Sequence, residues 1–240
     1  MQSELKELRK ELNKLLAGND ILKQAVREVS KIDMTKASLV VRNPKHEIVA
    51  VDKILDGELP GNVPVGDYVF LQNFTDVIKL VHQYLAMGNS IDKYLLIKAY
   101  RILSENPEGG YRKSNPVLYS YKHVPPHRAD IESLLSDMLR NVYGNDAVDD
   151  VILKAMYIHN STISIYPFDE YSGEIAVLAL NYILMENGFM PVSMPIKREE
   201  YLDMTAACLK GKNQEKFYNF LYEAVRDRMV ETIEACKAYA

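Results

Sequence analysis

Residues 165–174 read IYPFDEYSGE, from Ile165 to Glu174, and the segments on either side of them decide the fold. Downstream, Ile175, Ala176, Val177, Leu178, Ala179, Leu180, Ile183 and Leu184 cover nearly the whole circumference of a helix predicted over 173–187. A helix that is apolar all round is a central, buried one. Gly188 supplies its C-cap. Ser172 is placed to N-cap it. Glu174 falls in its first turn, where a carboxylate suits the positive end of the helix dipole. A second helical pattern, over 146–163, enters the loop from the other side. The decapeptide is therefore a short loop that leads from one helix into the buried heart of the molecule.

The helical period continues in both directions. Helices are predicted over 71–87, 90–104, 127–143, 197–210 and 213–238. In 127–143, Ile131, Leu134, Leu135, Met138, Leu139 and Val142 share one face. Residues 2–32 also read as helical, with Leu5, Leu8, Leu12, Leu15 and Leu16 as a stripe, broken at Gly18-Asn19-Asp20. That stripe packs on its own domain or on a partner helix. Residues 37–52 change period: Leu39 to Val41 and Ile48 to Val51 flank Asn43-Pro44-Lys45, a β-hairpin pattern. Gly57, Pro60, Gly61, Pro64 and Gly66 mark a linker over 56–66. The expected architecture is mainly α: a helical domain over 67–240 around one buried helix, and an N-terminal helix and β-hairpin region over 1–66.

Composition excludes several classes. The 240 residues are 48% apolar, enough for a core, and carry a net charge of −4, which gives no basic field for nucleic acid. No apolar run is long enough to span a bilayer. The N-terminal MQSELKELRK lacks the apolar core of a signal peptide, and Cys208 and Cys236 fit no redox or metal spacing. The expectation is a cytoplasmic protein with no membrane contact. His123 and His127 flank Pro125 and Pro126, and prolines prevent the helical pairing that a zinc site would use.

Taken in order, the motifs resemble the Fic/Fido (Fic/DOC) family over roughly residues 70–226. That family's loop reads His-x-Phe-x-Asp/Glu-Gly-Asn-Gly-Arg, with a second Arg two residues on. Phe168, Glu170 and Gly173 match it. SIDKYLLIKAYRIL (Ser90 to Leu103) resembles its early core helix. Gly110-Tyr111-Arg112 followed by Tyr121-Lys122-His123-Val124-Pro125-Pro126 resembles its "G-x-R … hVPP" stretch. His159 stands seven residues before Tyr166, as in the family's helix-to-loop segment, and Asn181 to Pro191 and Tyr201 to Val225 resemble its later helices. The resemblance implies a Fic/Fido-like bundle with a small β-hairpin flap, Pro116, Val117, Leu118, Tyr119, Ser120 and Tyr121, that docks a target segment.

The resemblance also implies a chemistry, and here the loop departs from it. An active member transfers AMP from ATP to a protein hydroxyl. The His takes the hydroxyl proton, the acid binds Mg²⁺, the Gly-Asn-Gly backbone and helix N-terminus cradle phosphate, and the arginines balance charge. In this chain Tyr166 stands at the His, Tyr171 at the first Gly, Ser172 at the Asn, Glu174 at the first Arg and Val177 at the second. Tyrosine titrates near pH 10 and is a poor base; loss of a general base costs about 10²–10⁴ in rate. Tyr166 reads as a packed, locally hydrogen-bonded ring, or else as an activated tyrosinate or a self-modified hydroxyl. Glu170, with Asp169 and Glu174, is a weak Mg²⁺ or Ca²⁺ candidate. His159, about 10 Å from the loop along a helix, reads as a satisfied helix-face residue. The family's inhibitory helix has its nearest match at NKLLAGN (Asn13 to Asn19), with Ala17 at the Glu position. The expected function is a degenerate Fic domain acting as a binding or scaffolding pseudoenzyme. Its protein partner is met through the flap or the N-terminal helix, and self-association stays open. No cofactor is expected; Mg²⁺ and ATP enter only in the alternative, a residual or altered nucleotidyl or phosphoryl transferase.

Overall fold

A computed structural model describes residues 2–42, 51–55, 57–58, 63–144 and 149–239. The helices are α1 (Gln2–Leu16), α2 (Asp20–Arg42), α3 (Val51–Leu55), α4 (Val65–Ala86), α5 (Lys93–Leu103), α6 (Ile131–Tyr143), α7 (Val151–Ile165), α8 (Ser172–Glu186), α9 (Arg198–Leu209) and α10 (Gln214–Ala238). Every helix predicted downstream of residue 67 is present, with ends shifted by capping chemistry. Asp92 Oδ1 accepts from the Leu95 amide at 2.7 Å, so α5 starts after it. Asp150 Oδ1 accepts from the amides of Ile152 and Leu153, so α7 starts five residues later than its pattern.

The all-round apolar helix is indeed the centre. In α8, every residue from Ser172 to Leu184 is buried. It packs principally on α7 and α2, with α4 and α5 on further sides. Gly188, at φ +77°, ends it: the Phe189 amide reaches back to Leu184 and the Gly188 amide to Met185.

Gly18 and Asn19 break the N-terminal helix as expected. Leu5 and Leu12 are buried and α1 lies on α10, tied by Lys6 to Asp149 and Lys237 to Glu11. The stripe of α1 is thus used within its own chain. α2 runs on to Arg42, which corrects the hairpin reading of 37–52. Residues 37–42 are helical, Val51 opens α3, and Asn43-Pro44-Lys45 lies outside the described residues. Met34, Ala37 and Ser38 are buried at helical spacing beside α8. That burial outweighs the strand propensity of Val40 and Val41. The flap also differs from a hairpin. A single antiparallel bridge, Leu118 to His123, closes a turn, and no strand occurs among the described residues. Pro116 lacks an amide donor, and Lys122 takes φ +51°, so the ladder cannot lengthen there.

His159 is fully buried between α7, α9 and α10. Its Nδ1 lies 2.9 Å from Asn160 Oδ1 and its Nε2 2.9 Å from Tyr201 Oη, and its ring meets Phe217 edge-on. It is satisfied, as expected of it, but it lies in the core. Burial pushes its pKa down from 6.5 to about 4. The unfolded chain therefore binds this proton more readily. The stability it contributes is complete above pH 6.5 and is lost as pH falls toward 4, by about 3 kcal/mol at most. Urea unfolding across that window should show a steeper loss in the native chain than in His159→Gln; parallel curves would refute this.

Candidate active-site loop

The loop between α7 and α8 is held by one buried guanidinium. Arg112 is 2% exposed. Its Nε donates to Tyr166 O at 2.8 Å, Nη1 to Ser114 O and Asn115 Oδ1, and Nη2 to Pro126 O and Ile165 O. Its own amide donates to Pro167 O at 2.8 Å. Asp169 adds a second tie, accepting from Ser114 Oγ at 2.8 Å. Phe168, with no exposure, stacks on Tyr100 of α5 at 4.5 Å between centroids. So anchored, the loop holds two non-glycine residues in the left-handed region, Tyr166 at φ +48° and Tyr171 at φ +61°.

Tyr171, at that left-handed φ, is itself the N-cap of α8. This corrects the reading of Ser172, which is the first helical residue. The Ser172 hydroxyl turns back to Phe168, accepting from its amide at 2.9 Å and donating to its carbonyl at 3.0 Å. The three acids do not converge. Asp169 faces Ser114, Glu170 is exposed, and Glu174 is buried under α2; among the described residues no three metal-ligating side chains gather. Val177 is buried in the core.

At the N-terminus of α8 lies a cleft of about 620 Å³. Tyr121, Tyr166, Tyr171, Gly173 and Glu174 line it, as the sequence grouped them. Val41, Arg42, Asp67 and Arg198 also line it, and sequence reading missed them. Their signal was available only through the continued helical period of α2, which carries Arg42 to this point. The end of α2 sits directly on the loop: a Cβ added at Gly173 would overlap Val41 Cγ1 and lie 3.2 Å from Tyr121 Oη. Arg42 Nε is 3.4 Å from Asp67 Oδ1, and its guanidinium lies over the Phe70 ring at 4.2 Å. Arg198 Nε donates to Val41 O at 3.4 Å. Ala17, the residue matched to an inhibitory glutamate, is not part of this cleft; the segment over the loop is the end of α2.

Burial raises the Glu174 carboxyl above the usual carboxylate range, against its own helix amide and the more distant Arg42 and Arg198. Burial, then Glu174 and Glu170, also raises the Tyr166 phenol. Tyr166 is therefore a neutral phenol at physiological pH. Another cleft of about 590 Å³, along α6 and α7, contains no residue of the loop.

A family model described as Fic/DOC matches residues 90–184. A probable protein adenylyltransferase of Aquifex aeolicus is 33% identical over 106 residues, 44% of this chain and 32% of that protein. The match therefore spans well under half of that relative. Solved structures align over nearly all of this chain. A Fic domain containing signaling protein from Bacteroides thetaiotaomicron has a TM-score of 0.82 at 15% identity, covering 98% of both chains. A segment of Fic-1 from C. elegans has a TM-score of 0.80 at 16% identity, covering 100% of this chain and 73% of that one. A Fic family protein from Desulfovibrio desulfuricans G20 has a TM-score of 0.70 at 18% identity, covering 97% and 74%. At these identities the solved structures establish the fold.

Two expectations follow from the loop's anchoring. Arg112→Ala leaves several buried carbonyls without donors, each worth about 1–3 kcal/mol. A loss of roughly 3 kcal/mol or more is expected in chemical denaturation, and a loss below 1 would remove Arg112 as the anchor. Gly173→Ala should push the end of α2 outward, at a cost of about 1–3 kcal/mol. Hydrogen exchange should then speed up at 38–42 while the rest of α8 stays protected; unchanged exchange there would contradict the close contact.

Proposed function

We propose that this chain is built around a Fic/DOC-family domain, serves as a binding module and does not transfer AMP. The observation that carries this reading is Glu174: a buried carboxylate in the first turn of α8, under Val41 and Arg42, where a phosphate would use the helix N-terminus. Two unit charges 4 Å apart interact by about 4 kcal/mol at an effective dielectric of 20. Here that interaction repels phosphate. The contact of Val41 with Gly173 supports the same conclusion, since it closes the space through which backbone amides would reach a phosphate oxygen.

The remaining positions add to it. Tyr166 is a phenol whose pKa is raised further, so it offers no base for a target hydroxyl. Val177 brings no charge to the site. Tyr171 replaces backbone access with a ring facing Phe70 at 6.1 Å. The bridge turn, with Val117, Tyr119 and Val124 exposed, is the surface we assign to a polypeptide partner. The N-terminal helix is the lesser candidate, because its stripe is largely spent on α10.

The activity to test is set by the Aquifex aeolicus relative, named a probable protein adenylyltransferase. ATP and AMP should be titrated by calorimetry with and without Mg²⁺, and the protein incubated with labelled ATP. No binding at millimolar nucleotide and no label are expected. Micromolar ATP binding, or label lost on Glu170→Ala, would establish the transferase instead.

A further inference from the structure

The cleft at the start of α8 contains a buried carboxyl group that no contacting cation pairs with. Glu174 is 8% exposed. Its carboxylate accepts from its own backbone amide, and neither Arg42 nor Arg198 reaches salt-bridge distance of it. Arg42 is spent on Asp67 and the Phe70 face, and Arg198 on the carbonyl of Val41. A buried carboxylate without a contacting cation is costly, and a protein normally pairs it or neutralises it. Around it stand Tyr121, Tyr166, Tyr171 and Ser120, whose oxygens can all accept hydrogen bonds, and the three tyrosine rings attract cations.

We propose that this cleft binds a primary ammonium group, with Glu174 as its counter-ion. The inference rests on reading the site as a binding pocket. The ligand class follows from the geometry. An ammonium is a compact charge with three donors, matched by one carboxylate and by the hydroxyl-bearing residues that line the cleft. A phosphate or carboxylate ligand would meet Glu174 directly, and Arg42, which lines the same cleft, is paired with Asp67. The charged and titratable groups facing Glu174 are Arg42 from α2, Asp67 from α4, Glu170 from the loop and Arg198 from α9. Tyr121, Tyr166, Tyr171 and Tyr201 complete the set. The same chemistry is offered by a lysine side chain of a polypeptide and by a free amine.

The test uses the full chain and three probes: N-acetyl-lysine-N-methylamide, n-butylammonium, and the uncharged isostere N-acetyl-norleucine-N-methylamide. The lysine probe should bind at least about tenfold tighter than the norleucine probe, and Glu174→Gln should abolish that difference. Binding requires the ionised carboxylate, so it should weaken as pH falls. Equal binding of butylammonium assigns the site to free amines; binding of the lysine probe alone assigns it to polypeptide. The Glu174 carboxyl resonance of the native chain gives an independent reading that does not depend on a variant folding. Its titration midpoint should move down when the lysine probe is added. An unmoved midpoint, no binding at millimolar probe, or equal binding by Glu174→Gln would overturn the proposal. An ATP arm separates the two readings: ATP binding would remove the non-transferase reading, while Glu174-dependent amine binding would stand.

Discussion

The loop between α7 and α8 takes its shape from the Arg112 guanidinium. A buried cation that donates to carbonyls at 114, 126, 165 and 166 fixes three separate stretches of backbone at one point. None of these acceptors is a carboxylate, so the guanidinium acts as a multiple donor more than as half of an ion pair. The planar fork of arginine suits that task, and a point charge such as lysine does not. Phe168 provides the apolar counterpart, stacked on Tyr100. Together they over-determine the path of residues 165–171, and this allows Tyr166 and Tyr171 to stay in a backbone region that ordinarily costs about 1–2 kcal/mol.

Much of this architecture was legible in the sequence. The circumferential apolar pattern of 175–184 identified the buried helix, and the break at Gly18 and Asn19 divided α1 from α2. His159 was read as a satisfied helix-face residue; its hydrogen bonds bear out the first part, and its complete burial was not foreseen. What was not legible depends on tertiary burial. Residues 37–42 have a strand-like composition, and only the fit of Met34, Ala37 and Ser38 beside α8 makes them helical. The hairpin flap was expected only from the family resemblance, and a single bridge closes the turn instead. Ser172 has capping chemistry, yet its hydroxyl is already taken by Phe168.

The misread end of α2 matters most, because it completes the cleft. With 37–42 read as a strand, Arg42 had no place near the loop, and the charge balance at Glu174 looked like a matter for the loop alone. In the structure α2, α4 and α9 all contribute to it. Glutamate at the helix start is favourable for the helix itself, since it complements the dipole. It is unfavourable in its burial, which raises its pKa. The two effects oppose each other, and burial is the larger, so the carboxyl is raised above the usual carboxylate range.

The shape of this loop does not depend on the side chains that face the cleft. The loop keeps the left-handed backbone at residue 171 even though a tyrosine occupies it, because the anchors that set the path lie elsewhere, at Arg112 and Phe168. A fold can be retained under such constraint while each side chain that faces the cleft changes its charge or its reach. Solved structures of similar shape thus inform on the path of the backbone, while the charge of the cleft depends on Glu174 and the residues that surround it. Those residues include one that only a helix continued through Val41 could bring there. The same continuation places Val41 against Gly173. Refitting the cleft for an anion therefore requires moving α2 as well as reversing one charge.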